Sequence, residues 1–167
     1  MMSGFKKAFV LVAALGLAAC SNTSWNDAGA GGAGGSGTAG SNLDPASPAY
    51  FQETIGDRVL FLIDQSTLNP EAEAILQGQA RWLTSNSDYV VTIQGHADEQ
   101  GTREYNLALG ARRANSAREY LISQGVAGSR IQVVSYGKER PLEICSAESC
   151  YAKNRRAVTV LAGGLTG

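Results

Sequence analysis

Apolar and polar positions recur along this chain at two periods, and together they lay out its elements. Arg58 to Ile63 (RVLFLI) is an apolar run suited to a buried strand, introduced by the Gly56-Asp57 turn. The weaker run from Ala49 to Ile55 reads as an edge strand beside it. Asn69-Pro70-Glu71 combines a cap, a proline at the first helical position and an acid in the first turn, so a helix starts there. Ala72, Ile75, Leu76, Gln79 and Leu83 follow helical spacing and carry it to about Ser85. Tyr89 to Gln94 (YVVTIQ) is β-rich. A second helix opens at Thr102, with Glu104 near its positive end. Its inner stripe reads Leu107, Ala111, Ala114, Ala117 and Leu121, and Gly125 closes it. Ile131 to Tyr136 is a third strand, a long loop reaches Lys153, and Ala157 to Leu161 is a last strand. The order predicts an α/β domain, a β-α-β-α-β-β sandwich with one mixed sheet and two main helices on one face. Strand order stays open.

The first third of the chain follows a different logic. Lys6 and Lys7 precede an apolar run from Ala8 to Ala19, interrupted only by Gly16. That run falls short of the roughly 20 residues of a membrane span, so residues 1–19 read as a secretory leader. Ser21 to Pro48 contains GAGGAGGSGTAG and cannot bury enough surface to offset chain entropy. Residues 20–48 are therefore expected to form a flexible tether, spanning about 30 Å on average and roughly 95 Å when stretched. Trp25 within it has no assigned role. Residues 49–167 then form the folded domain.

Charge narrows the functional classes. The 167 residues carry 14 basic and 15 acidic side chains; without Lys6 and Lys7 the balance is 12 to 15, a net −3. A general nucleic-acid binder would need a basic surface, so that class is set aside. The single histidine, His96, argues against a histidine-rich metal centre, since catalytic zinc needs three protein ligands. No serine or cysteine has a convincing base, which leaves an enzyme as a distant alternative to a binding module.

The chemistry concentrates in Ile93 to Ala114. An acid at the end of a strand, Asp98, is followed by a base on the next helix, Arg113, which suits a ligand bearing both charges. Alone, the two read more readily as a structural ion pair. The whole pattern, GHADEQG-x3-YN-x2-LG-x-RRA followed by SYGKERP and NRRA, resembles the OmpA-like peptidoglycan-binding domain family over Arg58 to Leu161. VSYGKERP and YAKNRRAV are similar to the lipid-anchored branch that works in the Tol–Pal system. LAAC at Leu17 to Cys20 resembles the bacterial lipobox.

These resemblances imply a noncovalent cell-wall binder, not an enzyme, with no cofactor and no metal. The implied ligand is the diaminopimelate of a peptidoglycan stem peptide, whose free end joins an ammonium to a carboxylate. Asp98 would accept from the ammonium and the planar fork of Arg113 would clasp the carboxylate. Asn106, seven residues earlier on the same helical face, would complete the site. The backbone near Leu62, Ile63 and Asp64 would donate to the ligand, with the Ile63 side chain packing inward. Relatives often show Phe-Asp-x-Asp here, so Leu62 departs from the pattern. His96 would brace the loop, Arg112 would be solvated or pair with a loop, and Arg155 or Arg156 would approach the site or tie the last strand to the long loop. Cys20 would carry acyl chains, and Ser21 rather than Asp after it implies sorting to the outer membrane, with the domain in the periplasm. The implied second partner is the Tol-system periplasmic β-propeller protein TolB, whose binding excludes the wall in that family; the rival is a wall anchor independent of Tol. Export favours a disulfide between Cys145 and Cys150.

Overall fold

The computed structural model describes residues 43–163. The leader, Cys20, Trp25 and the tether up to residue 42 lie outside them.

The chain enters through residues 43–47 and a helical turn, α1 (Pro48–Tyr50), which continues as π-helical turns over Phe51–Gly56. The edge strand expected at Ala49 to Ile55 is thus helical. Ser47 caps the turn by accepting from Tyr50 N–H, Pro48 sits at its start, and Tyr50, Phe51 and Ile55 recur at helical rather than alternating spacing. Phe51 is fully buried, 4.9 Å from the Trp82 ring, while Trp82 Nε1 donates to Pro45 O at 2.7 Å. Residues 45–48, assigned to the tether by composition, are part of this packing.

Strand β1 (Arg58–Leu60) follows, then α2 (Pro70–Ser85), capped by Asn69 Oδ1 on Ala72 N–H at 2.8 Å. Strand β2 (Tyr89–His96) leads into α3 (Arg103–Ser123), capped by Thr102, and β3 (Ile131–Gly137) follows. The long loop contains a further helix, α4 (Glu148–Asn154), before β4 (Arg156–Gly163). The sheet order is β1-β4-β2-β3, with β2 and β3 parallel and β4 antiparallel to both its neighbours. The parallel pair is joined by α3, as a crossover connection requires.

Helices α2 and α3 cover one face. Val59, Val91, Ile93, Ile131 and Ala157 point under them, while Val90 and Val160 on the other face are exposed. A polar tie crosses the core: Gln79 donates to Gly56 O at 2.7 Å and accepts from Thr159 Oγ1 at 2.8 Å. Both groups of that buried amide are satisfied, so it costs little and fixes α2 against β4.

The contact that positions the site is the seam between β2 and α3. A Cβ on Gly95 would lie 1.8 Å from Gly110 O, and one on Gly110 would lie 2.9 Å from Gly95 O. Strand and helix therefore touch backbone to backbone. This turns Asn106, Gly110, Arg113, Ala114, Ala117 and Leu121 inward and corrects the expected stripe: Leu107 faces outward, 46% exposed.

Candidate functional site

At the carboxyl end of β2 the chain leaves the sheet and forms the Ala97–Gly101 loop, opposite the loop that follows β1. Between them opens a depression of about 260 Å3 lined by Ile63, Asp64, Asp98, Gln100, Gly101 and Tyr105. A separate, mainly apolar groove beside β1, with Leu60, Ile75 and Leu142 in its wall, contains none of the candidate ligand-binding residues.

Asp98 supplies the acid of the depression. It is 9% exposed; its Oδ1 accepts from Gln100 N–H at 3.2 Å and its Oδ2 from Arg155 Nη1 at 3.1 Å. Asn106 is buried behind the loop and donates to Gln100 O at 2.6 Å. Tyr105 donates to Asp64 Oδ1 at 3.2 Å, joining α3 to the β1 loop. Asp64 itself holds a positive φ of 54°, which lets the chain reverse after Gln65 N–H bonds Leu62 O at 3.2 Å. That turn ends β1 at Leu60 and leaves Ile63 55% exposed, so the expected inward packing of Ile63 does not occur.

Arg113 is fully buried and does not line the depression. Its Nε donates to Gln65 O at 2.8 Å, Nη1 to His96 O at 2.9 Å and Nη2 to Leu62 O at 3.0 Å. The fork expected from the sequence to clasp a ligand carboxylate holds the β1 loop against the end of β2 in this structure. The Gly95–Gly110 seam draws it into the core one helical turn past Gly110. Each terminal nitrogen keeps a second N–H. Burial lowers the Arg113 pKa to about 10, opposed by Asp98 and Asp64.

His96 is buried, its ring 5.6 Å from Tyr136, and its Nδ1 has no hydrogen-bond partner among the described residues. Desolvation first, then the charges of Arg156 and Arg140, lower its pKa to about 4. It is neutral, and its carbonyl is one of the acceptors of Arg113.

Arg155 approaches the site, whereas Arg156 does not. Arg155 bridges Asp98, Phe61 O at 3.2 Å and Glu148, to which Nη2 donates at short range. Arg156 turns to Asn154 O and Arg140 O, and Asn154 holds Leu142 and Glu143 N–H, tying the end of α4 to the loop. Arg112 is exposed, its guanidinium 6.0 Å from the Tyr105 ring centre. Cys145 and Cys150 are joined in a disulfide with Cα atoms 6.0 Å apart.

Glu148 was not singled out from sequence. The only available signal was its place seven residues before Arg155, which faces it only if the intervening ESCYAK is helical. The carbonyl acceptors of Arg113 carried no side-chain signal at all. Among the described residues, no group of three or more His, Cys, Asp or Glu is placed to hold a metal, and no helix is long and apolar enough to cross a membrane.

An α/β sheet with this strand order, a charged depression at the end of β2 and a buried arginine behind it define a recognisable class. The OmpA family model matches residues 60–155, and the chain belongs to that family. Its relatives are more particular. The peptidoglycan-associated lipoproteins of Rhizobium meliloti and Agrobacterium fabrum are both 49% identical, over 92% and 90% of this chain and 85% and 84% of theirs. The crystal structure of the peptidoglycan-associated lipoprotein from Burkholderia pseudomallei superposes with a TM-score of 0.66 at 36% identity, covering 71% of this chain and 100% of that one. The C-terminal domain of Helicobacter pylori MotB, at 19% identity and a TM-score of 0.61, shares the fold.

Proposed function

We propose that this chain is a lipoprotein that binds peptidoglycan noncovalently through the diaminopimelate end of a stem peptide. The reading rests on the depression at the end of β2, where the Asp98 carboxylate opens toward the β1 loop pinned by Arg113. The ligand ammonium binds Asp98. The ligand carboxylate meets the backbone N–H groups near Leu62, Ile63 and Asp64, with the Arg113 charge and its remaining N–H groups directly behind them. Asn106 and His96 hold the two loops in register. The names of the relatives, peptidoglycan-associated lipoproteins, support an association with peptidoglycan.

Acylation at Cys20 anchors the chain in the outer membrane. Burial of acyl chains at about 0.8 kcal/mol per CH₂ makes several of them a durable anchor. The tether lets the periplasmic domain reach the wall, linking the two layers and serving envelope integrity and cell division. TolB is the second partner, and it competes with the wall for the same face.

Sedimentation of full-length protein with purified peptidoglycan tests the site. Wild type pellets with the wall, and Asp98→Ala stays in the supernatant. Undiminished pelleting of both Asp98→Ala and Arg113→Ala removes the proposed site. Co-purification with the propeller protein separates the Tol-linked anchor from an independent one, and a Cys20→Ala chain that is still acylated removes the anchor.

A further inference from the structure

Asp98 is not free to act alone, because its Oδ2 is already engaged by Arg155. The Arg155 side chain is 5% exposed, and its guanidinium has two anionic partners, Asp98 on one side and Glu148 on the other. Glu148 Oε1 accepts from Nη2 at short range, and Oε2 lies 3.5 Å from Nη1, the same nitrogen that reaches Asp98. Burial on its own would depress the Arg155 pKa, but the hydrogen bonds it donates to Glu148 and then Asp98 outweigh it and raise it. The two carboxylates therefore share one buried cation. An ammonium arriving at Asp98 extends an alternating row: ammonium, Asp98, Arg155, Glu148.

Glu148 keeps its place through α4. It stands in the first turn of that seven-residue helix, which is too short to persist on its own. The Cys145–Cys150 disulfide closes the segment around it, from the loop before α4 to the third residue of the helix. At the far end, Asn154 fastens α4 by accepting from Leu142 and Glu143 N–H at 2.7 and 3.0 Å.

We propose that Glu148, held by the Cys145–Cys150 disulfide, is a positioning residue for cation recognition, acting on Asp98 through Arg155. This rests on Asp98 being the acceptor for the ligand ammonium. With Glu148 present, part of the Arg155 charge is answered from outside and Asp98 retains more of its negative charge for a ligand. With Glu148 neutralised, Arg155 turns wholly to Asp98 and competes with the ammonium. The Glu148 side chain is 61% exposed, so solvent screens it and the effect is moderate. The disulfide thereby makes wall affinity responsive to thiol redox state.

The test is calorimetric titration of full-length, detergent-solubilised protein with a stem tetrapeptide carrying free diaminopimelate. Glu148→Gln should weaken binding on the order of three-fold with little change in the thermal midpoint, and Glu148→Asp should recover most of the loss. Reduction of wild type should reproduce the weakening, and reduction of Glu148→Gln should add nothing. Asp98→Asn serves as the reference for the site itself. If Asp98→Asn binds as wild type, the underlying site reading falls. If Asp98→Asn loses binding while Glu148→Gln keeps full affinity, the site stands and this inference is overturned. Equal losses from reduction in both backgrounds overturn the role of the disulfide.

Discussion

Two buried arginines flank the same depression and are neutralised in opposite ways. Arg113 is answered by the carbonyl dipoles of Leu62, Gln65 and His96, all neutral groups of the main chain. Arg155 is answered by the carboxylates of Asp98 and Glu148. Their pKa values move apart accordingly: burial takes Arg113 down to about 10, while anionic partners take Arg155 up. Carbonyls cannot titrate, move little and cannot be drawn off by a ligand, so the Arg113 side is a fixed frame. Carboxylates can be shared, protonated or claimed by an incoming cation, so the Arg155 side can be tuned. A zwitterionic ligand would need one of each: a rigid wall of N–H groups for its carboxylate and an adjustable acceptor for its ammonium.

If the Arg113 side is a frame, damage there should reach the whole domain. Gly95→Ala is the most severe case, since the new Cβ would meet the backbone of Gly110 at 1.8 Å and no side-chain rotation relieves it. We expect loss of soluble folded protein, checked by circular dichroism and expression yield. Arg113→Ala should take the side-chain donor from Gln65 O, His96 O and Leu62 O, of which Leu62 O keeps Gln65 N–H, and leave a cavity in the core. At about 1–3 kcal/mol for each buried group left unsatisfied, the loss is on the order of 4 kcal/mol once partial relaxation is allowed. Urea unfolding measures it, and a loss below about 1 kcal/mol would mean the clamp is not structural.

His96 belongs to the Arg113 side, offering its carbonyl to that guanidinium while its ring lies near the charges of Arg140 and Arg156. Its folded pKa of about 4 is below the ordinary 6.5. Between those values the unfolded chain binds a proton that the folded chain refuses, so stability rises with pH across that window. Acidification through it should cost about 3 kcal/mol, with no His96 contribution above the upper value. Comparing wild type with His96→Gln by urea unfolding at neutral pH and near the acid end isolates this term. A stability difference that does not change with pH would refute it.

How much of this could be read from the sequence depended on where each residue's partners were. The four strands of the sheet, both main helices, and Asn69 and Thr102 as caps follow from local spacing and composition. Phe51 did not, because its helical turn becomes visible only against Trp82, far along the chain. Leu107 was placed inward because glycine contributes nothing to an apolar stripe, yet Gly110 is what sets the helix face. Arg113 was marked as a candidate by its motif, but its acceptors are main-chain carbonyls that any sequence would supply. Glu148 was hidden twice, by a helix inside an apparent loop and by an arginine standing between it and Asp98.

The smallest expected effect is the most diagnostic of the contrast. Glu148→Gln removes an anion from a buried cation, which for a fully enclosed pair would be severely destabilising. Here Arg155 keeps Asp98 and Phe61 O as partners, and Glu148 faces solvent for most of its surface. The variant should therefore lose no more than about 1 kcal/mol in urea unfolding. The same experiment on Arg113→Ala should show several times that loss. Comparable losses would mean that both arginines are structural cement and that the outer side is as fixed as the inner. A small loss at Glu148 against a large one at Arg113 keeps the division, because only the adjustable cation can give up a partner and remain paired.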